Sequence, residues 1–148
     1  MSLNKRYIVV IFFILAACFT LFILRFGIYR LNRTVREAAL HLTQVSTLSR
    51  TRGTDFRVIF DERYLVIDTF NESLGDWQRH KEWPYLKEIT CGLQGWAFYF
   101  SHGSLKEYQS SNWPGKAPKH IMVEFLLKSS SKKKGIIFNR DGHWRVLR

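Results

Sequence analysis

The chain has 148 residues, enough for one ordinary domain plus one appended segment, which excludes a multidomain enzyme. Its 23 Lys and Arg outnumber its 12 Asp and Glu, and the resulting formal net charge of +11 excludes an acidic tail or an acidic disordered segment. Hydrophobic residues at 46% and aromatic residues at 16% are too abundant for a disordered chain, so we expect a folded domain that carries the positive charge.

The first predicted element is a membrane-spanning helix. The run from Tyr7 to Leu24 holds 18 residues without a charge and is flanked by basic residues on both sides. At about 1.5 Å per residue, this run is just long enough to cross the hydrocarbon core of a bilayer. It continues into a helical pattern rather than into a small-residue cleavage site, which favours an uncleaved anchor over a secretory signal. We expect a leader at 1–6 and a transmembrane helix at 7–26.

An amphipathic helix is predicted directly after the span, at 27–52. Apolar residues recur from Leu24 to Val45 at alternating spacings of four and three, which is a heptad-like stripe. Gly53, directly after Arg52, is typical of a helix stop. Three heptads are too few for a free coiled coil, so we expect one continuous helix whose outer half lies on the chain's own globular domain.

The remaining residues, 53–148, are predicted to form one mainly β domain of six or seven strands, giving an α+β fold. The predicted strands are 56–60 and 64–68, paired as a hairpin, then 88–91, 96–100 and 120–127, and a last hairpin over 135–148 that turns at Asp141-Gly142. Residues 70–87 and 101–118 show no strand period and are predicted to be loops, and 129–134 a polar basic connector.

Cysteine and tryptophan positions add three expectations. Cys91 is expected to be a buried free thiol, because unpaired cysteine packs like a small hydrophobic residue. Trp96 is expected in the core. Trp77, Trp83 and Trp113 fall in predicted loops, where each either anchors an interface or covers the domain's own core.

The sequence favours a protein without catalytic activity. Its five histidines are scattered, with no two at metal-ligand spacing, and no Gly-rich phosphate loop or nucleophile elbow occurs. Asp61, Glu62 and Asp68 are close in sequence, but charges are common at a hairpin rim and a carboxylate pair without a cleft is a weak indication of chemistry. We therefore expect no catalytic residues, no metal site and no cofactor.

Positive charge is concentrated near the C-terminal end. Residues 128–148 hold seven basic residues and one acidic residue, whereas 54–127 hold eight basic and ten acidic residues. Basic side chains beside an aromatic ring can bind a phosphate backbone and stack a base. The candidate polyanion-binding residues are Lys132, Lys133, Lys134, Arg140, Trp144, Arg145 and Arg148. A solvated connector that protects an edge strand is the favoured interpretation. Lys132 to Lys134 could equally contact anionic lipid or an acidic partner domain.

The order of these elements resembles that of type IV pilin-like proteins. The stretch VREAALHLTQVSTLSRTRGTDFRVIFDERYLVID, at 35–68, is similar to the minor pseudopilins of type II secretion, the GspH/FimT type. In that family a helix rich in Ala and Leu ends in a basic segment and Gly, and a first hairpin follows. The ending GIIFNRDGHWRVLR resembles the family's closing hairpin. The resemblance covers 7–68 and 135–147.

This resemblance implies a non-catalytic subunit that assembles or caps a type II secretion or type IV pilus apparatus. Its implied partners are other pilin-like subunits and inner-membrane assembly proteins. We expect contact with them through an assembly stripe formed by Ile28, Leu31, Val35, Leu42 and Val45. The alternative is a signal-anchored binding domain of unrelated fold, for example one that binds nucleic acid through the basic C-terminal segment.

The resemblance also implies a location and a sidedness. The chain would cross the bacterial inner membrane once, with its leader at 1–6 in the cytoplasm and its β domain in the periplasm. The positive-inside rule mildly opposes this orientation, because four arginines follow the span between 25 and 36 and only two basic residues precede it.

The chain departs from the family pattern at the cleavage motif. Family members carry a leader that ends in Gly, a cut, and then Phe-Thr-Leu-Ile-Glu, whose glutamate pairs with the amino terminus of a neighbouring subunit. Here no Gly follows Lys5-Arg6, and the first acidic residue is Glu37. The stretch CFTLFI at 18–23 is superficially similar, but a cut before Phe19 would leave no membrane span. We therefore expect an uncut subunit in a terminal or accessory position.

Overall fold

The structure is a computed structural model that describes residues 5–93, 95–110 and 118–147, with only the backbone of Lys5 and Arg6. Residues 1–4 of the predicted leader, Trp113 and Arg148 lie outside this part of the chain.

One helix, α1, runs without a break over Lys5–Arg52, a length of 48 residues. It ends immediately before Gly53, whose φ of 63° lies in the left-handed region that glycine adopts without a side-chain clash. The prediction of one continuous helix with a stop at Arg52 and Gly53 is confirmed.

Nine strands follow within the described residues and form two antiparallel sheets. The strands are β1 (Phe56–Phe60), β2 (Tyr64–Asn71), β3 (Asp76–Pro84), β4 (Ile89–Cys91), β5 (Trp96–Ser101), β6 (Ser104–Ser110), β7 (His120–Leu127), β8 (Lys133–Asn139) and β9 (Trp144–Val146). Sheet A has the order β3-β2-β1-β5-β6, and sheet B the order β4-β7-β8-β9. The predicted α+β class, a long helix packed on antiparallel sheets, is confirmed.

The hydrophobic core lies between the two sheets. Phe60 of sheet A is fully buried and makes edge-on ring contacts with Phe98 in the same sheet and with Phe125 and Phe138 of sheet B. Phe98 and Phe138 also meet directly, with ring centroids 4.1 Å apart. Because each phenyl ring removes a large apolar area from water, these contacts join the sheets into one core.

The outer half of α1 closes this core and contacts strands of both sheets. Its stripe residues Leu31, Val35, Leu42 and Val45 are at most 3% exposed, as is Ala38 between them. The residues lie three or four positions apart and so occupy one helix face. The predicted packing of this helix on its own β domain is therefore observed from Leu31 to Val45.

Two segments predicted to be loops contain edge strands instead, β3 within 70–87 and β6 within 101–118, so the loop predictions are wrong there and the strands exceed the six or seven predicted. Residues 111–117 of the second segment lie outside the described part of the chain. Strand β3 has no apolar alternation, because most of its side chains face solvent at the edge of sheet A. In β6 the buried residues Leu105 and Tyr108 lie three apart, because the pairing with β5 is shifted between Tyr99 and Phe100. Either feature removes the period of two by which a strand is recognised.

The remaining strand predictions agree with the structure, apart from their ends. The hairpin of β1 and β2 and strands β4, β5 and β7 lie where they were predicted. The last turn occurs at Asp141-Gly142, as expected. Lys133 and Lys134, however, begin β8 rather than belonging to a connector.

Candidate functional site

The first half of α1 presents an apolar surface that the β domain does not cover. From Tyr7 to Phe26 the large apolar side chains are 46–69% exposed. Exposure of a continuous apolar surface of this size to water is unfavourable, and the surface is stable when it is buried in lipid or against other apolar helices. The chain thus carries one helix long and apolar enough to cross a membrane, followed by a β domain, which is the arrangement of a single-pass membrane protein.

The β domain meets the helix directly beyond this apolar surface. A Cβ atom placed on Gly27 would lie 2.8 Å from Cδ2 of Leu127, the last residue of β7. Any side chain at this position would force the Leu127 side chain to shift, so glycine allows the approach as it stands. Gly27 is three residues beyond Leu24, a rise of about 4.5 Å along the helix, so the end of β7 lies at the edge of the membrane span.

Polar contacts fix the next turn of the helix to two positions of sheet B, one beside the edge strand β4 and one on the inner strand β8. Arg30 forms an ion pair with Glu88, which directly precedes β4. The Lys134 ammonium donates a hydrogen bond to Asn32 Oδ1 over 2.7 Å. Both contacts lie within two helical turns of Gly27, so the same end of sheet B faces the membrane side.

This end of sheet B is strongly basic. We call residues 128–134, which connect β7 to β8 and include its first two residues, the basic turn. Within it, Lys128 and Lys132 are exposed, while Lys133 is paired with Glu124 over 2.7 Å. The Lys128 amide donates a hydrogen bond to the carbonyl of Glu88 over 2.8 Å, which holds the basic turn beside the start of β4.

The candidate polyanion-binding residues do not form one patch. Arg140 follows the opposite end of β8, about 20 Å from the basic turn at the usual rise of a strand. Trp144 is half-buried and packs on the core, so its ring is not free to stack a base. Arg145 lies opposite Ile137 on β9, and Arg148 is outside the described residues. The structure brings together only the three lysines.

Four of the five residues of the predicted assembly stripe are inside the molecule. Leu31, Val35, Leu42 and Val45 are covered by the chain's own sheets, so a second subunit cannot contact them while the helix is docked. Ile28 is 38% exposed and borders a groove beside the basic turn. The surface of this helix that remains free for contact is the opposite one, where Leu40 is 60% exposed.

A buried ion cluster on the outer face of sheet A was missed at the sequence level. Asp68, assigned there to a hairpin rim, is 4% exposed and accepts hydrogen bonds from Arg57 over 2.7 Å and Arg79 over 2.9 Å. Arg57 also lies over the Trp77 ring, 4.9 Å from its centroid. The register that places Arg57 opposite Asp68 in the hairpin was the available signal. Both carboxylate oxygens of Asp68 accept a hydrogen bond from an arginine, so the cluster has the character of a structural link between strands of sheet A.

The tryptophans of β3 separate into two environments. Trp83 is half-buried against the core and contacts His41 and Tyr85, so it covers the domain's own core. Trp77 lies on the outer face of sheet A and contacts Tyr99 as well as Arg57. Trp96 is buried, as expected.

Burial perturbs the pKa of four titratable groups among the described residues, and one of them is Tyr108, whose pKa it raises. Burial lowers the pKa of His41, and nearby Lys81 lowers it further, against a hydrogen bond with Gln44. Burial also raises the pKa of the Tyr85 hydroxyl. It raises the pKa of Cys91, a buried free thiol as expected, to about 11.

None of these perturbed groups is arranged for chemistry. Across the described residues no three His, Cys, Asp or Glu side chains are placed to hold a metal ion. Comparison with models of known protein families, with curated protein sequences and with solved structures finds no match to this chain.

Proposed function

We propose that this chain is a non-catalytic membrane subunit of a pilin-like assembly, acting as a minor pseudopilin does in a type II secretion or type IV pilus apparatus. In this proposal it crosses the bacterial inner membrane once and carries its β domain on the periplasmic side. The observation that supports it is the single helix of 48 residues, whose first half is exposed and apolar and whose second half is buried in the β domain.

A helix of this kind couples a membrane anchor rigidly to a domain. No Gly or Pro interrupts the buried half from Ile28 to Arg52, and Gly27, the one glycine in the helix, is held against Leu127. A single-pass protein that only needed to tether a binding domain would be served as well by a flexible linker. The rigid connection instead supports a function in which the position of the β domain relative to the membrane matters, as in an assembled filament base or tip.

The sequence of the span supports a terminal or accessory position in such an assembly. No acidic residue occurs from Tyr7 to Arg36, so this segment cannot supply the carboxylate that neutralises a neighbour's amino terminus in the resembling family. An unpaired charge in the hydrocarbon core is costly. Neighbouring subunits would then be contacted by the exposed helix face around Leu40 and by the β domain, because the predicted stripe is already covered.

Site-specific photo-crosslinking in the source cell tests this proposal. A photoreactive residue at Leu40 faces outward, whereas one at Leu42, two positions along the same helix, faces the core. We expect the Leu40 probe to crosslink to a second protein with its own N-terminal apolar helix, identified from the crosslinked peptides, and the Leu42 probe to crosslink only within the chain. Identical products from both probes, or a partner without such a helix, would contradict the proposal.

The sidedness needs its own experiment. A reporter fused after the last hairpin should be active in the periplasm and inactive in the cytoplasm. A cytoplasmic signal would contradict the periplasmic location, and with it the pseudopilin assignment, which requires that location. The arginines after the span would then agree with the positive-inside rule.

The nucleic-acid alternative gains no support from the geometry. The tryptophan that would stack a base is packed on the core, and the arginines that would extend the basic surface lie at the far end of β8 or on its outer neighbour. The lysines of the basic turn remain, and their position beside the span points to a different ligand.

A further inference from the structure

The membrane span fixes the height of the basic turn above the bilayer. The uncharged run ends at Leu24, and Asn32, which holds Lys134, is eight residues further, a rise of about 12 Å. Leu127, next to Lys128, packs lower still, beside Gly27. The headgroup layer extends roughly 5–7 Å beyond the hydrocarbon core on each side. The basic turn therefore lies at the surface of the leaflet from which the helix emerges.

The side chains at this height carry a large excess of positive charge. Of the acidic residues here, Glu88 is paired with Arg30 and Glu124 with Lys133. Five further basic residues in the same region belong to neither of these ion pairs. They are Arg25, at the end of the uncharged run, Lys87 beside Glu88, and Lys128, Lys132 and Lys134 of the basic turn.

The basic turn is also shaped for close approach to a flat surface. Between its exposed lysines lie three serines at 129–131, whose small side chains do not hold the backbone away from a contact. The Ser130 amide donates to the Leu127 carbonyl over 3.1 Å, and the Leu127 amide donates to the Lys132 carbonyl over 3.1 Å. These bonds close a tight turn that projects Lys128 and Lys132 from the end of sheet B.

We propose that the basic turn binds the phosphate groups of anionic phospholipids and thereby fixes the tilt of the β domain on the membrane. Each lysine near a negatively charged bilayer surface is attracted to it over a Debye length. Because the helix already places the turn at the headgroups, little entropy is lost when the contact forms. The inference needs only the membrane span and holds for either orientation of the β domain, so it stands or falls separately from the pseudopilin proposal.

Headgroup quenching in nanodiscs tests the contact on the full chain. A fluorophore is attached at Ser131→Cys in a Cys18→Ala background, and the bilayer carries a lipid with a spin label on its headgroup. Adding about 30% phosphatidylglycerol to a phosphatidylcholine bilayer should increase quenching roughly twofold, and high salt should reverse the increase. Quenching that does not depend on lipid charge would overturn the proposal.

Two pairs of substitutions separate the basic turn from general positive charge. Lys128→Gln with Lys132→Gln should abolish the response to phosphatidylglycerol, while Lys128→Arg with Lys132→Arg should keep it. The matched control is Lys106→Gln with Lys119→Gln, which removes the same charge from exposed positions away from the membrane-proximal end. An equal loss in the control would overturn the proposal.

A soluble polyanion tests whether the ligand of the basic turn is nucleic acid instead of lipid. A single-stranded DNA oligonucleotide added to the labelled protein in phosphatidylcholine discs should change the fluorescence little. If it binds in a way that Lys128→Gln with Lys132→Gln abolishes, and phosphatidylglycerol has no effect, the ligand is nucleic acid and the lipid assignment is wrong.

Discussion

Asp68 is the one charged side chain that is buried in the part of the chain described by the structure, and it is held by two arginines. Replacing it leaves those guanidinium groups without their shared acceptor on the face of sheet A. We expect Asp68→Ala to lower the free energy of unfolding by about 2 kcal/mol. Glu72→Ala, at an exposed turn, should change it by less than about 0.5 kcal/mol.

Urea unfolding of the two variants, followed by tryptophan fluorescence, measures this difference. Equal midpoints for Asp68→Ala and Glu72→Ala would show that the cluster contributes nothing to the stability of sheet A.

His41 gives the β domain a dependence on pH. Its pKa is lowered by burial against Trp83, so the unfolded chain takes up the proton more readily than the folded chain. The stabilising contribution is complete above the ordinary histidine pKa of 6.5 and is lost as the pH falls below it. We expect the melting temperature to fall between pH 7 and pH 5, on the order of a few degrees.

The variant His41→Gln should flatten that part of the pH profile. His102→Asn serves as the control, because it removes an exposed histidine and asparagine accepts the positive φ found there. Thermal unfolding followed by circular dichroism at a series of pH values checks both. A profile that His102→Asn flattens and His41→Gln does not would contradict the assignment.

At the scale of elements, the docking of α1 depends on one face of its outer half. Leu42 is fully buried and Leu40 is 60% exposed, although both are leucines on the same helix. Leu42→Ala should lower the free energy of unfolding by about 2–5 kcal/mol, through lost burial and a cavity. Leu40→Ala should leave it within about 0.5 kcal/mol of the parent.

Chemical unfolding in mild detergent compares these variants directly. If Leu42→Ala and Leu40→Ala lower the free energy of unfolding by the same amount, the helix does not lie on the β domain as described. A larger effect of Leu40→Ala measured only in cells, on assembly rather than stability, would fit the exposed face being the contact surface.

The elements that could be predicted from the sequence are those with a clear period. The stripe on α1, the alternation in β1 and the turn at Asp141-Gly142 follow directly from side-chain spacing, and the structure contains all three. Strands β3 and β6 could not be predicted, because an edge strand exposes most of its side chains and a register shift removes the alternation.

The candidate site was predicted only in part, for a related reason. The three lysines are adjacent in sequence, so any fold would bring them together. Whether Trp144 and Arg140 lie beside them depends on the direction of β8. This strand is seven residues long, with two of the lysines at its start and Arg140 directly after its end. The stripe correctly predicted the helix face that packs on the chain's own β domain. The further expectation that the same residues contact other subunits conflicts with this burial, and the pattern could not separate the two because burial by the same chain or by another gives the same spacing.

For the whole molecule, the central feature is that one helix serves both the membrane and the core. The contacts at Gly27, Arg30 and Asn32 join the β domain to this helix at the edge of the span. The domain therefore cannot move independently of the anchor, which is what both the proposed assembly function and the lipid contact require.

Nitroxide accessibility along α1 tests this feature most directly. Single cysteines replace Phe13, Val35, Leu40 or Leu42 of the full chain in nanodiscs, in the Cys18→Ala background, where Cys91 is buried with its pKa raised to about 11 and reacts slowly. We predict that a water-soluble nitroxide thiol reagent labels Leu40→Cys rapidly, and that it labels Phe13→Cys, in the bilayer, and Val35→Cys and Leu42→Cys, in the core, as slowly as Cys91. Labelling of Val35→Cys and Leu42→Cys, or of Phe13→Cys, as fast as that of Leu40→Cys would contradict the account.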